Sequence, residues 1–178
     1  EIMEIEYFVR PGQDGVWHEK WVSNCLEWYI GLGINESRLN VRVHEPAELA
    51  HYAKATHDVE YHFPWGWGEI QGIANRGEYD LKAHSAVSGE ALRYFDEESS
   101  QHIVPYVIEP SAGVDRSVLA FLADAYTEEN VSTASGKTDK RVVMKFHHRL
   151  APVKVALLPL SRNERLVPLT REVYGQVR

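Results

Sequence analysis

The sequence predicts an α+β fold, on three observations. Short segments alternate apolar and polar residues with a period of two, as half-buried strands do. Between them lie stretches whose apolar residues recur at spacings of three and four, as on one face of a helix. At Ala151 the pattern changes to a nearly continuous apolar run followed by a helix-like segment, which sets residues 151–178 apart.

The elements follow in chain order. "EIMEIEYFV" alternates, with Glu4, Glu6 and Phe8 on one face and Ile5, Tyr7 and Val9 on the other. From Asp14 to Leu32, the residues Trp17, Trp21, Cys25, Trp28 and Leu32 form an apolar helical stripe. Asp14 is its N-cap, Gly33 its stop, and the tryptophans are core. "LNVRVH" is a strand, and "EPAELAHYAKAT" a helix with Pro46 at its first position. "HDVEYHF" sets Val59, Tyr61 and Phe63 against Asp58, Glu60 and His62. In "WGWGEIQGIAN", Glu69 and Gln71 share one face and Ile70, Gly72 and Ala74 the other. The small residues there allow a close approach to the backbone. "DLKAHSAVSGEALRYFD" is a helix weakened by Gly89. "QHIVPYVIEP" is a strand that ends on Glu109 and turns through Gly113 into the helix "DRSVLAFLADAYTEE". "NVSTASGKTDK" is a polar connection and "RVVMKFH" a strand. "LAPVKVALLPL" reads as a strand buried on both faces, the opening of a second domain cut short.

Composition narrows the function. Of 178 residues, 44% are apolar and 25% charged, as in core-forming proteins, and the net charge of −7 gives no general attraction to nucleic acid or acidic membranes. The lone Cys25 excludes an internal disulfide and fits a reducing compartment. No apolar run is long enough to span a membrane and no signal peptide is visible, so the expected location is cytoplasmic. A chain that starts with Glu1 inside a strand pattern reads as a fragment.

Nine histidines raise the question of a metal. His51, His57, His62 and His84 lie near carboxylates, but without HExxH or paired cysteines they read as hydrogen-bonded or surface groups. Ser111 lacks the glycine that a nucleophile elbow has before its serine, because Glu109 stands there. Glu4, Glu69 and Glu109 each occupy a strand. On one face they would form an acidic floor suited to an ammonium group or Mg²⁺. Arg116 opens a helix, where a cation is disfavoured unless an anion binds there or a carboxylate pairs with it.

Four stretches, "EIMEIEYFVRPG", "HYAKATHDVEYHFPWGWGEIQGIANRGEYDL", "VPYVIEPSAGVDRSVLAFL" and "LAPVKVALLPL", resemble homodimeric class II glycyl-tRNA synthetases of bacterial type, in the same order. The resemblance implies a class II antiparallel sheet flanked by helices over residues 1–150. Residues 151–178 then start a truncated α/β anticodon-binding domain. It implies ligation of glycine to its tRNA with ATP and Mg²⁺, through a glycyl-adenylate, with no tightly bound cofactor. Partners are glycine, ATP, tRNA(Gly) and a second copy of the chain. By the same resemblance, Glu4, Glu109, Pro110, Ser111, Ala112 and Gly113 hold glycine. Glu69, Ile70, Gly113, Val114, Asp115 and Arg116 contact ATP, and Glu69 is a candidate Mg²⁺ ligand. The first class II motif and the front of the second are absent, so the fragment alone is expected to be inactive. The rival readings are a non-catalytic synthetase-like accessory or RNA-binding protein, and a different class II synthetase, the latter disfavoured because "EPSAG" with Glu4 points to a small amino acid.

Overall fold

Alternation along the chain builds an antiparallel sheet in the computed structural model, which describes residues 1–132 and 136–178. The first strand pattern splits into β1 (Ile2–Glu4) and β2 (Tyr7–Val9). Helix α1 (Asp14–Gly31) leads to β3 (Leu39–Val43), β4 (Ala55–Phe63) and β5 (Gly66–Gly77). Helix α2 (Tyr79–Ser88) precedes a small hairpin of β6 (Tyr94–Asp96) and β7 (Gln101–Ile103). Strand β8 (Tyr106–Gly113) runs directly into α3 (Val114–Ala125), followed by the hairpin of β9 (Tyr126–Ser132) and β10 (Thr138–Met144). The main sheet has the order β1/β2–β8–β5–β4–β3, with every pairing antiparallel.

One face of this sheet is apolar. Val59, Tyr61, Ile73 and Ile108 meet Val22, Cys25 and Tyr29 of α1 and Ala120 of α3. Full burial of each large side chain contributes roughly 1.5–3 kcal/mol. Tyr29 Oη and Ser117 Oγ hydrogen-bond at 3.0 Å, which satisfies both buried hydroxyls where the two helices meet. The buried stripe of α1 is Asp14, His18, Val22, Cys25 and Tyr29, one position away from the tryptophan stripe. Trp17 and Trp21 flank the core against Tyr7, and Trp28 is half exposed. Smaller side chains let the helix approach the sheet. Gly33, at φ +100°, ends the helix, and its N–H donates to the Ile30 carbonyl. Asp14 is not the cap. Gln13 takes that place, and the Asp14 carboxylate is buried between Lys54 Nζ and Asn75 Nδ2.

Other departures have local causes. Residues 45–53 form turns instead of a helix. Glu48 is bonded to Arg42 and to the Glu45 N–H, and a segment this short does not hold a helix by its own propensity. Helix α2 stops where Gly89 adopts φ +75°, and its expected second half becomes β6. No turn separates β8 from α3, because Gly113 stays extended as the helix cap. Helix α3 ends at Ala125, and Tyr126–Ser132 pairs with β10 instead of continuing the helix or forming a loop. The rest of that expected connection includes residues 133–135, outside the described residues.

A bulge matters most. Between Val59 and Glu60 the register of β4 on β5 shifts, leaving Ile70 as the extra residue. Ile70 and Gln71 are therefore both buried, and Gln71 Nε2 donates to Cys25 Sγ. Glu69 moves to the opposite face with Gly72, parted from Gln71, contrary to simple alternation. A Cβ on Gly72 would lie 3.8 Å from Glu69 Oε1 and 3.7 Å from Asp58 Oδ1.

The chain divides into two units, Glu1–Lys145 and Phe146–Arg178. The second contains α4 (Leu166–Val177), and residues 151–165 form no strand. Val153, Val155, Leu158 and Leu160 are exposed. A doubly buried strand needs neighbouring strands and covering helices, which residues 146–178 do not supply.

The Asp14 contact is testable. Burial alone would raise the Asp14 pKa, but the Lys54 and Asn75 hydrogen bonds outweigh it and the net shift is downward. This contribution to stability is present above the ordinary carboxylate pKa and is lost as pH falls through the depressed value. Asp14→Asn should lower stability at pH 7 by about 1–3 kcal/mol and flatten the acid limb of the stability profile. Urea denaturation as a function of pH would measure both.

Candidate active site

The polar face of the sheet is assembled by register. Glu4 of β1 lies opposite Ser111 of β8, and Ser111 lies opposite Gly72 of β5. Ser111 Oγ donates to Glu4 Oε1 at 3.2 Å. Two residues back along β8, Glu109 lies opposite Ala74 and shares the face of Ser111. The bulge at Ile70 brings Glu69 to this same face, so the three expected carboxylates do share one floor.

The floor is not purely acidic. Arg76 Nη1 donates to both carboxylate oxygens of Glu109, at 3.0 and 2.9 Å. Its Nε and Nη2 donate to Asp80 at 2.7 and 2.9 Å, and the guanidinium lies 4.0 Å over the Tyr52 ring. The Asp80 hydrogen bond and the Glu109 charge, working against burial, hold Arg76 above its ordinary pKa, and the Arg76 hydrogen bond lowers that of Asp80. Arg76 thus fixes Glu109 in one orientation. Glu6 completes the group. Burial, then a hydrogen bond to Glu109 and the Glu109 charge, push Glu6 up to about 7.

A second group lies at the junction of β8 and α3. Glu69, Ile70, Ser111, Gly113, Asp115 and Arg116 line an open cleft of roughly 510 Å³. Arg116 Nη1 donates to the Glu69 carbonyl oxygen at 2.9 Å and lies 4.0 Å from Glu69 Oε2. Its side chain is 63% exposed, so the guanidinium keeps free donors toward the cleft. The Val114 N–H donates to the Glu1 carbonyl, and Asp115 is exposed beside the Glu1 amine. Glu69 is half exposed, so its carboxylate can offer an oxygen to a hard cation.

The structure therefore brings Glu4, Glu109 and Ser111 together, and Glu69, Gly113, Asp115 and Arg116 beside them, with Ser111 bordering both groups. Pro110 and Ala112 are buried on the opposite face, so a ligand on the floor meets them only through backbone. Ile70 is likewise buried. Glu6, Arg76, Asp80 and Tyr52 were not singled out as site residues from the sequence. Glu6 was legible, since it shares the parity of Glu4. Arg76 is two residues beyond Ala74, but the pairing irregularity between Asn75 and Gly77 obscures its face.

No family model matches the chain. Over its whole length it is 54% identical to a glycine–tRNA ligase of Thermobifida fusca. Identity is 48% to that of Corynebacterium glutamicum and 50% to that of Streptomyces coelicolor. The chain spans 39% of the length of each of these relatives. It is thus a homologue of one segment of bacterial glycine–tRNA ligases. A solved structure, seryl-tRNA synthetase from Pyrococcus horikoshii complexed with ATP, matches 70% of this chain and 26% of its own, with a TM-score of 0.57 at 19% identity. That likeness shows a shared fold, an antiparallel sheet with helices.

The raised Glu6 pKa makes a distinct prediction. Carboxyl-resolved NMR should find Glu6 titrating with a midpoint of about 7. In Glu109→Gln its midpoint should fall toward the ordinary carboxylate range, because the neighbouring charge is gone. The sign for stability follows from the raised value. Ionising Glu6 disfavours the fold, so its contribution declines as pH rises from the unfolded carboxylate range through about 7.

Proposed function

We propose that this chain is part of a glycine–tRNA ligase and carries one wall of its adenylation site. The observation that supports this best is the adjacency, along β8, of a carboxylate group around Ser111 and Glu109 and an arginine-bearing helix start at Gly113–Arg116. A pure scaffold has no need of both, which disfavours an accessory role.

Glycine has no side chain to grip. Its pocket must bind two charged ends and exclude anything larger. Glu4 and Glu109 hold the ammonium through charge-assisted hydrogen bonds, with Ser111 as a further partner and Arg76 keeping Glu109 in place. A contact worth one methylene discriminates by only ~1–3 kcal/mol, so rejection of alanine rests on steric exclusion. ATP lies along the cleft, with its phosphates against Arg116 and the α3 N-terminus and its nucleoside toward Glu69 and Ile70. Glu69 offers a carboxylate oxygen to the Mg²⁺ carried by ATP, and Mg²⁺ supplies charge neutralisation on the phosphates. The glycine carboxylate attacks the α-phosphate in line, pyrophosphate leaves, and the glycyl group then passes from the adenylate to a hydroxyl of tRNA(Gly), releasing AMP. Positioning and electrostatic stabilisation do most of the catalysis. Residues 1–150 belong to the catalytic domain and 151–178 to the start of the anticodon-binding domain of a homodimer. No helix among the described residues is long and apolar enough to cross a membrane, and the working location is the cytoplasm.

Placed in a full-length glycine–tRNA ligase in exchange for the matching segment, this chain should support glycine-dependent ATP–pyrophosphate exchange. Arg116→Ala in that chimera should cut exchange by roughly 10²–10³-fold without unfolding it. Near-normal exchange would remove Arg116 from the phosphate site. Glu109→Gln should raise KM for glycine by ~10–100-fold, the loss of one charge-assisted hydrogen bond, and leave KM for ATP nearly unchanged. Equal effects on both substrates would indicate general damage and count against the assignment.

A further inference from the structure

A different set of groups meets on the opposite, core-side face of the sheet, away from the proposed adenylation wall. His18 is buried on α1, next to the exposed Glu19, and His57 lies on β4 facing α1. The His18 and His57 rings are 4.8 Å apart between centroids. One ligand atom from each of His18, Glu19 and His57 lies within 4.8 Å of the others. His57 pairs in register with Ile73, and His18 Nε2 bonds the Ile73 carbonyl at 2.9 Å. The carbonyl can only accept, so Nε2 carries the proton and Nδ1 keeps a free lone pair. This is how a metal-binding histidine is held by its second nitrogen. His57 Nδ1 is buried with no hydrogen-bond partner among the described residues. An unmet buried polar atom is costly and calls for an occupant that is not part of the chain.

We propose that His18, Glu19 and His57 form a binding site for a zinc-like transition-metal ion that ties α1 to β4. Two imidazoles and one carboxylate suit a borderline metal, whereas Mg²⁺ and Ca²⁺ prefer sites built wholly of oxygen. Water takes the fourth position. Around a tetrahedral ion with bonds of about 2.0–2.1 Å, ligand atoms stand ~3.3 Å apart. Glu19 is exposed and can rotate inward to close the remaining distance. Burial holds His18 below the ordinary imidazole pKa, partly offset by the Ile73 bond, so at neutral pH the ring is uncharged and competent to bind. The ion stabilises the fold by binding the native state alone, since α1 and β4 are far apart in sequence and join only on folding.

The test uses the purified 178-residue chain, stripped with a chelator. Calorimetric titration with Zn²⁺ should show equimolar binding, and Co²⁺ should give the intense visible absorption of a four-coordinate site. Glu19→Gln should weaken Zn²⁺ by more than tenfold, at least as much as the ~10–100-fold lost when a supporting partner is removed. His57→Gln should abolish binding, with circular dichroism as the check on its fold. Glu19 is on the surface, so Glu19→Gln decides the matter should His57→Gln fail to fold. Absence of equimolar binding, or unchanged affinity in a folded variant of either kind, would overturn the proposal.

Discussion

The pairing of β8 on both its edges governs the rest of the molecule. β5 holds one edge and β1/β2 the other. Between them, β8 alternates Ile108, Pro110 and Ala112 into the core with Glu109 and Ser111 onto the polar face. It then passes without a turn into α3, which places Arg116 three residues beyond Gly113. Core, carboxylates and cleft therefore share one register. A slip of one residue would exchange the two faces, burying Glu109 and exposing Ile108. Burial of the apolar set is large enough to forbid the slip, so the hydrophobic core also fixes the chemistry on the far side.

The polar face is held in tension. Glu109 meets Arg76 through two hydrogen bonds and lies close enough to Glu6 to help raise its pKa, while Asp80 draws on the same guanidinium. Carboxyl groups this close are tolerated because one keeps a proton and an arginine partly neutralises the others. Such a surface gains by receiving a cation. An arriving ammonium relieves the crowding of carboxylates instead of creating a new charge imbalance. Arg76 is itself anchored by Asp80 and Tyr52, so Glu109 is oriented before any ligand arrives.

Much of this was legible in the sequence, for a physical reason. Strands such as "HDVEYHF" declare themselves because one face is wet and one dry, and the spacing of Glu4 and Glu6 carries directly into the structure. What was not legible depends on contacts distant along the chain. The stripe of α1 was read from its tryptophans and Cys25, yet beside Cys25 the sheet accepts His18 and Val22, whose smaller bodies allow close approach. Residues 45–53 have helical composition, but Glu48 is held by Arg42. His18 and His57 belong to separate elements, and no local spacing announces that they meet. Glu69 was placed beside Gln71 by simple alternation, and one extra residue reverses that.

The same extra residue makes β5 unequal in how it tolerates changes of length. β8 pairs with β5 only from Gln71 onward, and β4 already meets Glu69 with Glu60 and Gln71 with Val59. Loss of Ile70 would leave each of these partners where it is, and every other side chain on its present face. The damage would be confined to one missing apolar side chain. Loss of Ile73, lying between positions paired on both sides, would reverse part of the strand. Chain length in this sheet is therefore free to drift at one point and nearly fixed around it, and Ile70 is where a one-residue gap among related sequences can fall without disturbing the floor.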